Sequence, residues 1–238
     1  MILLEVCVDD PAGLAQAVAG GADRVELCAA LGIGGLTPTV GLMQMAAQCG
    51  LPCYPMIRPR SGDFVFSAAE MAVMKADIRA ARTAGLPGVV LGASRPDGSL
   101  DEVVLAALIA EAAGLDITLH RAIDLCPDKP AAVAVAKQLG FRRILSSGGA
   151  LTALAGIKTL AAMMQAAGDD CVIMPGSGVA PEALPQLSTL ALKEIHASCA
   201  QPLPSGGDAL AFGFQSGTEK RTDRHKVAAL KAALARLP

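Results

Sequence analysis

The chain of 238 residues has no tryptophan, one tyrosine and five phenylalanines, and only 18% of its residues are charged. So few aromatics leave no stacking platform of the kind that holds single-stranded nucleic acid. A basic excess is missing as well. The formal net charge of -2 argues against nucleic-acid binding in general. No G-x-G-x-x-G opens the first helical stretch, which weakens a dinucleotide-binding sheet. No Cys-x-x-Cys pair occurs, and the seven cysteines are odd in number. Free thiols in a reducing compartment are therefore expected rather than a disulfide framework. An unbroken apolar span is also absent. Residues 27–57 carry no charge, but Gly32, Gly34, Gly35, Pro38, Gly41, Gly50, Pro52 and Pro55 interrupt them. A membrane-spanning helix is not expected there. Glu5 sits inside the first apolar run with no basic segment before it, so no secretory signal is read and the cytoplasm is the expected compartment.

What is present is a rhythm. Short apolar runs alternate with longer Ala- and Leu-rich stretches. The runs predict strands at Ile2–Val8, Arg24–Cys28, Cys53–Arg58, Gly88–Gly92, Asp116–Arg121, Arg143–Ser147, Cys171–Pro175 and Leu192–Ala197. Helices are expected near Pro11–Ala19, Val40–Cys49, Ser67–Ala84, Leu100–Ala113, Lys129–Leu139, Thr152–Ala167 and Pro181–Leu187, with a closing helix over 223–236. Ser67 followed by Glu70 forms a capping-box pattern, and Thr152 and Asp223 are candidate N-caps. Eight such βα units fill the length, which predicts an α/β fold: a single-domain (β/α)8 TIM barrel spanning residues 1–238. An open doubly wound sheet is the alternative. One segment breaks the rhythm. Residues 200–222 are rich in Gly, Pro and Ser and follow the eighth strand, as a lid over the barrel mouth or as a packing connection.

Strand alternation assigns faces. If Leu4, Val6, Val25, Leu27, Ile57, Ile117, Leu119, Ile195 and Ala197 face the helices, then Glu5, Cys7, Glu26, Cys28, Met56, Arg58, Thr118, His120, Glu194 and His196 face the barrel interior. Barrel interiors are normally filled with branched apolar side chains. Buried charges need partners or solvent, so an ion-pair plug and a polar pocket at the mouth are both open readings. Cys7 and Cys28 end consecutive strands, which lie about 4.8 Å apart. Two thiols at that spacing suit a soft ion such as Cu(I), and equally suit plain packing.

Three loops complete the candidate set. Arg58 and Arg60 flank a Pro beside Gly62 and can present guanidinium forks to an anion. Ser147 and Gly148 follow the sixth strand, and Gly176 and Gly178 follow the seventh, where such barrels often hold phosphate. His120 closes the fifth strand with Asp124 close behind. With Glu26 these residues are candidates for acid–base catalysis, if the protein is an enzyme.

The segments Leu4-Glu5-Val6-Cys7-Val8-Asp9, Gly20-Gly21-Ala22-Asp23-Arg24-Val25-Glu26-Leu27-Cys28 and Gly34-Gly35-Leu36-Thr37-Pro38 resemble the CutC copper homeostasis family. So do Met56-Ile57-Arg58-Pro59-Arg60, His120-Arg121-Ala122, Ile173-Met174-Pro175-Gly176 and Glu194-Ile195-His196-Ala197-Ser198. The resemblance runs from about residue 2 to 199 and departs from the family pattern at Ser61, Phe66, Leu119, Ile123 and Ser177. It implies a (β/α)8 barrel, a cytoplasmic homo-oligomer and copper handling, with Cu(I) bound by Cys7 and Cys28. The rival expectation is an enzyme acting on a small anionic or phosphorylated metabolite, with Arg58, Arg60 and the glycine loops holding the anion.

Overall fold

The computed structural model describes residues 2–237. Eight parallel strands alternate with helices: β1 (Leu3–Val8), α1 (Pro11–Ala19), β2 (Arg24–Leu27), α2 (Val40–Ala46), β3 (Cys53–Pro55), α3 (Ala68–Thr83), β4 (Gly88–Leu91) and α4 (Glu102–Glu111) make the first half. Then follow β5 (Asp116–Leu119), α5 (Lys129–Gln138), β6 (Arg143–Ser146), α6 (Ile157–Ala167), β7 (Val172–Pro175), α7 (Leu184–Leu187) and β8 (Glu194–Ala197). The architecture is the TIM barrel that the alternation predicts. Its strands form two arcs in the orders β3-β2-β1-β8 and β4-β5-β6-β7. A single parallel bridge, Met56 with Val90, joins β3 to β4, and Ile57 N–H donates to Val90 O at 2.7 Å. Between β7 and β8 no ladder pair is present among the described residues. Side chains cross that seam instead, as described below.

Local chemistry explains the element ends. Asp10 caps α1, with Pro11 at its first position, where the missing N–H costs nothing. Ser67 and Glu70 form the expected capping box on α3. Asp223 caps the last helix, α9 (Arg224–Leu234). Thr152 does not cap α6. Its hydroxyl holds a preceding turn through Ala155 N–H, and α6 begins after Gly156. The apolar strand faces and the helix stripes, among them Leu4, Val6, Val25, Leu27, Ile144 and Ile195, form the main core outside the barrel wall.

Residues 200–222 are not a structureless loop. They hold β9 (Ala200–Pro202), α8 (Gly207–Ala211) and β10 (Lys220–Thr222), with β9 and β10 antiparallel. Thr222 Oγ1 donates to Cys7 O at 3.3 Å and Ser198 O at 3.1 Å, and Arg221 Nε donates to Asp10 at 2.7 Å. The segment is thus pinned to the rim beside β1 and β8. Among the described residues, no helix is long and apolar enough to cross a membrane.

Candidate functional site

Contacts between strands that are not neighbours show which side chains lie inside the barrel. Arg24 on β2 reaches across to Glu194 on β8, and its Nε donates to Glu5 on β1 at 2.5 Å. Arg143 on β6 donates to Glu194 at 2.6 Å and to Thr118 at 3.0 Å, and lies 3.3 Å from Asp116. Tyr54 donates to Asp116 at 2.8 Å. Arg24 also touches Met174 Sδ at 3.3 Å, so Arg24, Arg143 and Glu194 bridge the β7–β8 seam. This is an ion-pair plug, and the residues that neutralise Glu5 and Glu194 are Arg24 and Arg143. Both share strand parity with the inward residues of β2 and β6, which is the signal that marks them in the sequence. Burial works against the charge on Glu5, but Arg24 and His196 outweigh it and hold the carboxyl at about 2.

Above the plug lies a cavity of about 320 Å³. Cys7, Glu26, Met56, Arg58, His120, His196 and Gly178 line it, together with Leu31, Phe64 and Arg121. The cavity and the plug share one joint. His196 Nδ1 pairs with Glu5 Oε1 at 2.8 Å, while Nε2 stands 3.9 Å from Glu26 Oε2. One donor atom each from Cys7, Glu26 and His196 falls within a common 4.8 Å, and all three residues are buried. Burial opposes a charge on His196, yet Cys7 and Glu26 beside it hold the imidazolium well above its ordinary range. Burial pushes the Glu26 carboxyl up, and the charge on Glu5 adds to that while His196 opposes it.

Cys28 stands outside this group of three. Its thiol donates to Glu26 Oε2 at 3.5 Å and packs with Tyr54, Met56 and Val90. Burial first, and Glu26 second, push that thiol well above the ordinary range.

The other sequence candidates divide sharply. Arg58 lines the cavity, but Arg60 is spent on its own loop, pairing with Asp63 at 2.9 Å and with Glu70 on α3. Gly178 lines the cavity; Ser147, Gly148 and Gly176 do not. The β6 loop that carries Ser147 and Gly148 is tied to Asp124, which accepts from Ser146 Oγ at 2.5 Å, Ser147 N–H at 3.1 Å, Gly149 N–H at 3.0 Å and Arg121 at 2.8 Å. Asp124 is therefore a fastener between two loops, with its oxygens already engaged. Ser177 holds a left-handed φ of 75° beside Gly178. Residues 200–222 do not line this cavity; residues 200, 216 and 218–222 border an adjoining depression that shares Cys7, Leu31 and Ser198 with it. Phe64, on the loop after β3, carries no periodic signal and was not legible as a wall of the site.

Three buried polar atoms on cavity-lining residues have no partner among the described residues: Glu26 Oε1, Arg58 Nε and His120 Nε2. Each such group costs about 1–3 kcal/mol when left unmade. His120 Nδ1 accepts from Ala122 N–H at 3.2 Å, so in the neutral ring the proton sits on Nε2. Burial, helped by Arg58, lowers the His120 pKa to about 3 from an ordinary 6.5.

Two expected outcomes follow from His120. A histidine held neutral in the fold contributes stability that is complete above pH 6.5 and is lost as the pH falls toward its folded value of about 3. Lowering the pH from 7 to 5 should therefore cost the wild type about 2 kcal/mol more than His120→Gln, measured by urea unfolding. Gly92 is the second. A Cβ there would sit 2.4 Å from His120 Cε1 and 2.5 Å from Nδ1. Gly92→Ala should push the imidazole off its site and lower stability by about 1–3 kcal/mol, with a moved His120 signal in the NMR spectrum.

Comparison with known proteins gives a consistent answer. A family model described as the CutC family matches residues 2–201. A CutC family protein from Sinorhizobium medicae is 54% identical, with 98% of this chain and 96% of that protein covered. One from Agrobacterium fabrum is 55% identical, with 98% and 94% covered. Among solved structures, the CutC protein of Streptococcus agalactiae, named there for copper homeostasis, is 31% identical with a TM-score of 0.79 over 83% of this chain and 99% of that one. Thiamine phosphate pyrophosphorylase from Pyrococcus furiosus, at 12% identity and a TM-score of 0.62 over 99% of this chain and 96% of that one, shares the fold alone.

Proposed function

Because the chain belongs to the CutC family, we propose that it serves copper homeostasis by binding Cu(I) as cargo between Cys7 Sγ and His196 Nε2. The supporting observation is the buried group of Cys7, Glu26 and His196 within 4.8 Å. A thiolate and an imidazole suit Cu(I), which accepts low coordination numbers; Zn would want four ligands. Metal-binding histidines usually give their other ring N–H to a carboxylate, and Glu5 stands at 2.8 Å from His196 Nδ1 in that role. Glu26 is a hard oxygen donor and is assigned to balancing charge rather than to ligation. Cys28 joins only if its bond to Glu26 opens. The reading places the protein in the cytoplasm, where thiols stay reduced. The test is an anaerobic Cu(I) titration against a competing chelator. Wild type should take up one Cu(I) tightly, and Cys7→Ser should lose it. Equal binding by Cys7→Ser and wild type would sink the proposal.

A second reading, an enzyme acting on a small anionic metabolite, is favoured by the three unpartnered polar atoms of the cavity. In it Glu26 and the neutral His120 would move protons, and Asp124 would act only by positioning Arg121 and Ser147.

A further inference from the structure

Three buried arginines serve the barrel interior, and two of them are neutralised. Arg24 has Glu5 and Glu194, and Arg143 has Glu194 and Asp116. Arg58, only 5% exposed, has no carboxylate partner among the described residues. Its Nη1 donates to Ile33 O and Gly35 O, both at 3.1 Å, its Nη2 donates to Gly62 O at 2.9 Å, and its Nε donates to nothing. His120, 2% exposed, carries its proton on an equally unpartnered Nε2. Both residues line the same cavity, and the ring of Phe64 joins them. It lies 5.0 Å from the Arg58 guanidinium carbon and 4.7 Å from the His120 ring centre.

We propose that this cavity binds a small organic carboxylate, taken up by Arg58 Nε–H and His120 Nε2–H as these covered atoms turn into it, with a hydroxyl on the neighbouring carbon meeting Glu26 Oε1. The inference deepens the second reading above and uses neither Cys7 nor His196. A carboxylate supplies the missing charge for one guanidinium and acceptors for two donors at once. A phosphate dianion fits less well. Among the described residues that line the cavity, Arg58 is the one cation without a carboxylate partner, and Glu26 lies on the same wall. The 320 Å³ volume is at the small end for ligand sites, which points to a short hydroxy acid.

The test uses glycolate as the probe on the 15N-labelled full chain, with inorganic phosphate and sodium chloride as controls at equal ionic strength. Glycolate should shift the His120 Nε2–H resonance saturably, in roughly the millimolar range expected for so small a ligand. Arg58→Lys keeps the charge and loses the Nε donor, and should weaken that response by about tenfold. The wild-type titration decides the matter even if Arg58→Lys does not fold. No saturable shift with glycolate overturns the proposal. So does an equal shift with chloride. A response to phosphate alone overturns the carboxylate and leaves an anion-handling enzyme standing.

Discussion

Replacing Arg24 by methionine is expected to lower the unfolding free energy at pH 7 by about 3–5 kcal/mol, the range for breaking a buried ion pair from one side. The guanidinium sits between two buried carboxylates, Glu5 and Glu194. Methionine fills much of the space but returns neither charge nor donor. Glu5 would keep only His196, and Glu194 only Arg143. The pH dependence gives an independent check. In the wild type Glu5 is held at about 2 against an ordinary 4.5, so its contribution is present above pH 4.5 and is lost as the pH falls toward 2. Without Arg24, burial wins and the Glu5 carboxyl rises. Acidification through that window should then cost Arg24→Met less than it costs the wild type. Urea unfolding at pH 7 and pH 3 measures both effects. A loss under about 1 kcal/mol at pH 7 would mean that the pairs behave as solvated surface pairs do.

The second large effect concerns copper. Cys7→Ser should weaken Cu(I) binding by more than about 100-fold, because the one soft donor of the three-residue group is gone. His196→Gln should cost about 100-fold and Glu5→Gln about 10-fold, the latter by releasing the imidazole from its carboxylate. Cys28→Ser should cost less than about 10-fold, since its thiol is engaged with Glu26 and lies outside the group. This ordering separates the site from a two-cysteine site, in which Cys28→Ser and Cys7→Ser would be equally damaging. Competition with a Cu(I) chelator under argon reads all four.

The barrel was legible because its strands are short, apolar and evenly spaced, and their parity assigned the interior correctly for Glu5, Glu26, Glu194 and His196. Parity alone did not say which charges would neutralise which. Arg24 and Arg143 point inward by the same rule, but their partners sit on strands distant in the chain, and only closure of the barrel brings them together. The loop residues were the least legible. Arg58 and Arg60 look alike in sequence, yet the bond from Arg60 to Glu70 ties it to α3 while Arg58 turns into the cavity wall. Asp124 looks like a catalytic acid beside His120, and in the fold its oxygens fasten two loops, because three donors from the end of β6 and its loop converge on it together with Arg121. Cys28 shares inward parity with Cys7, but the register of β1 with β2 sets Glu26 level with Cys7, and the Cys28 thiol turns to that carboxylate. None of these hydrogen-bonding choices has a period, so none is visible in a linear pattern.

The most direct measurement is X-ray absorption at the copper edge on the chain loaded anaerobically with one Cu(I). One sulfur and one imidazole nitrogen are expected as ligands, unchanged in Cys28→Ser and lost in Cys7→Ser. Two sulfur ligands, with Cys28→Ser abolishing the spectrum as fully as Cys7→Ser, would contradict that assignment.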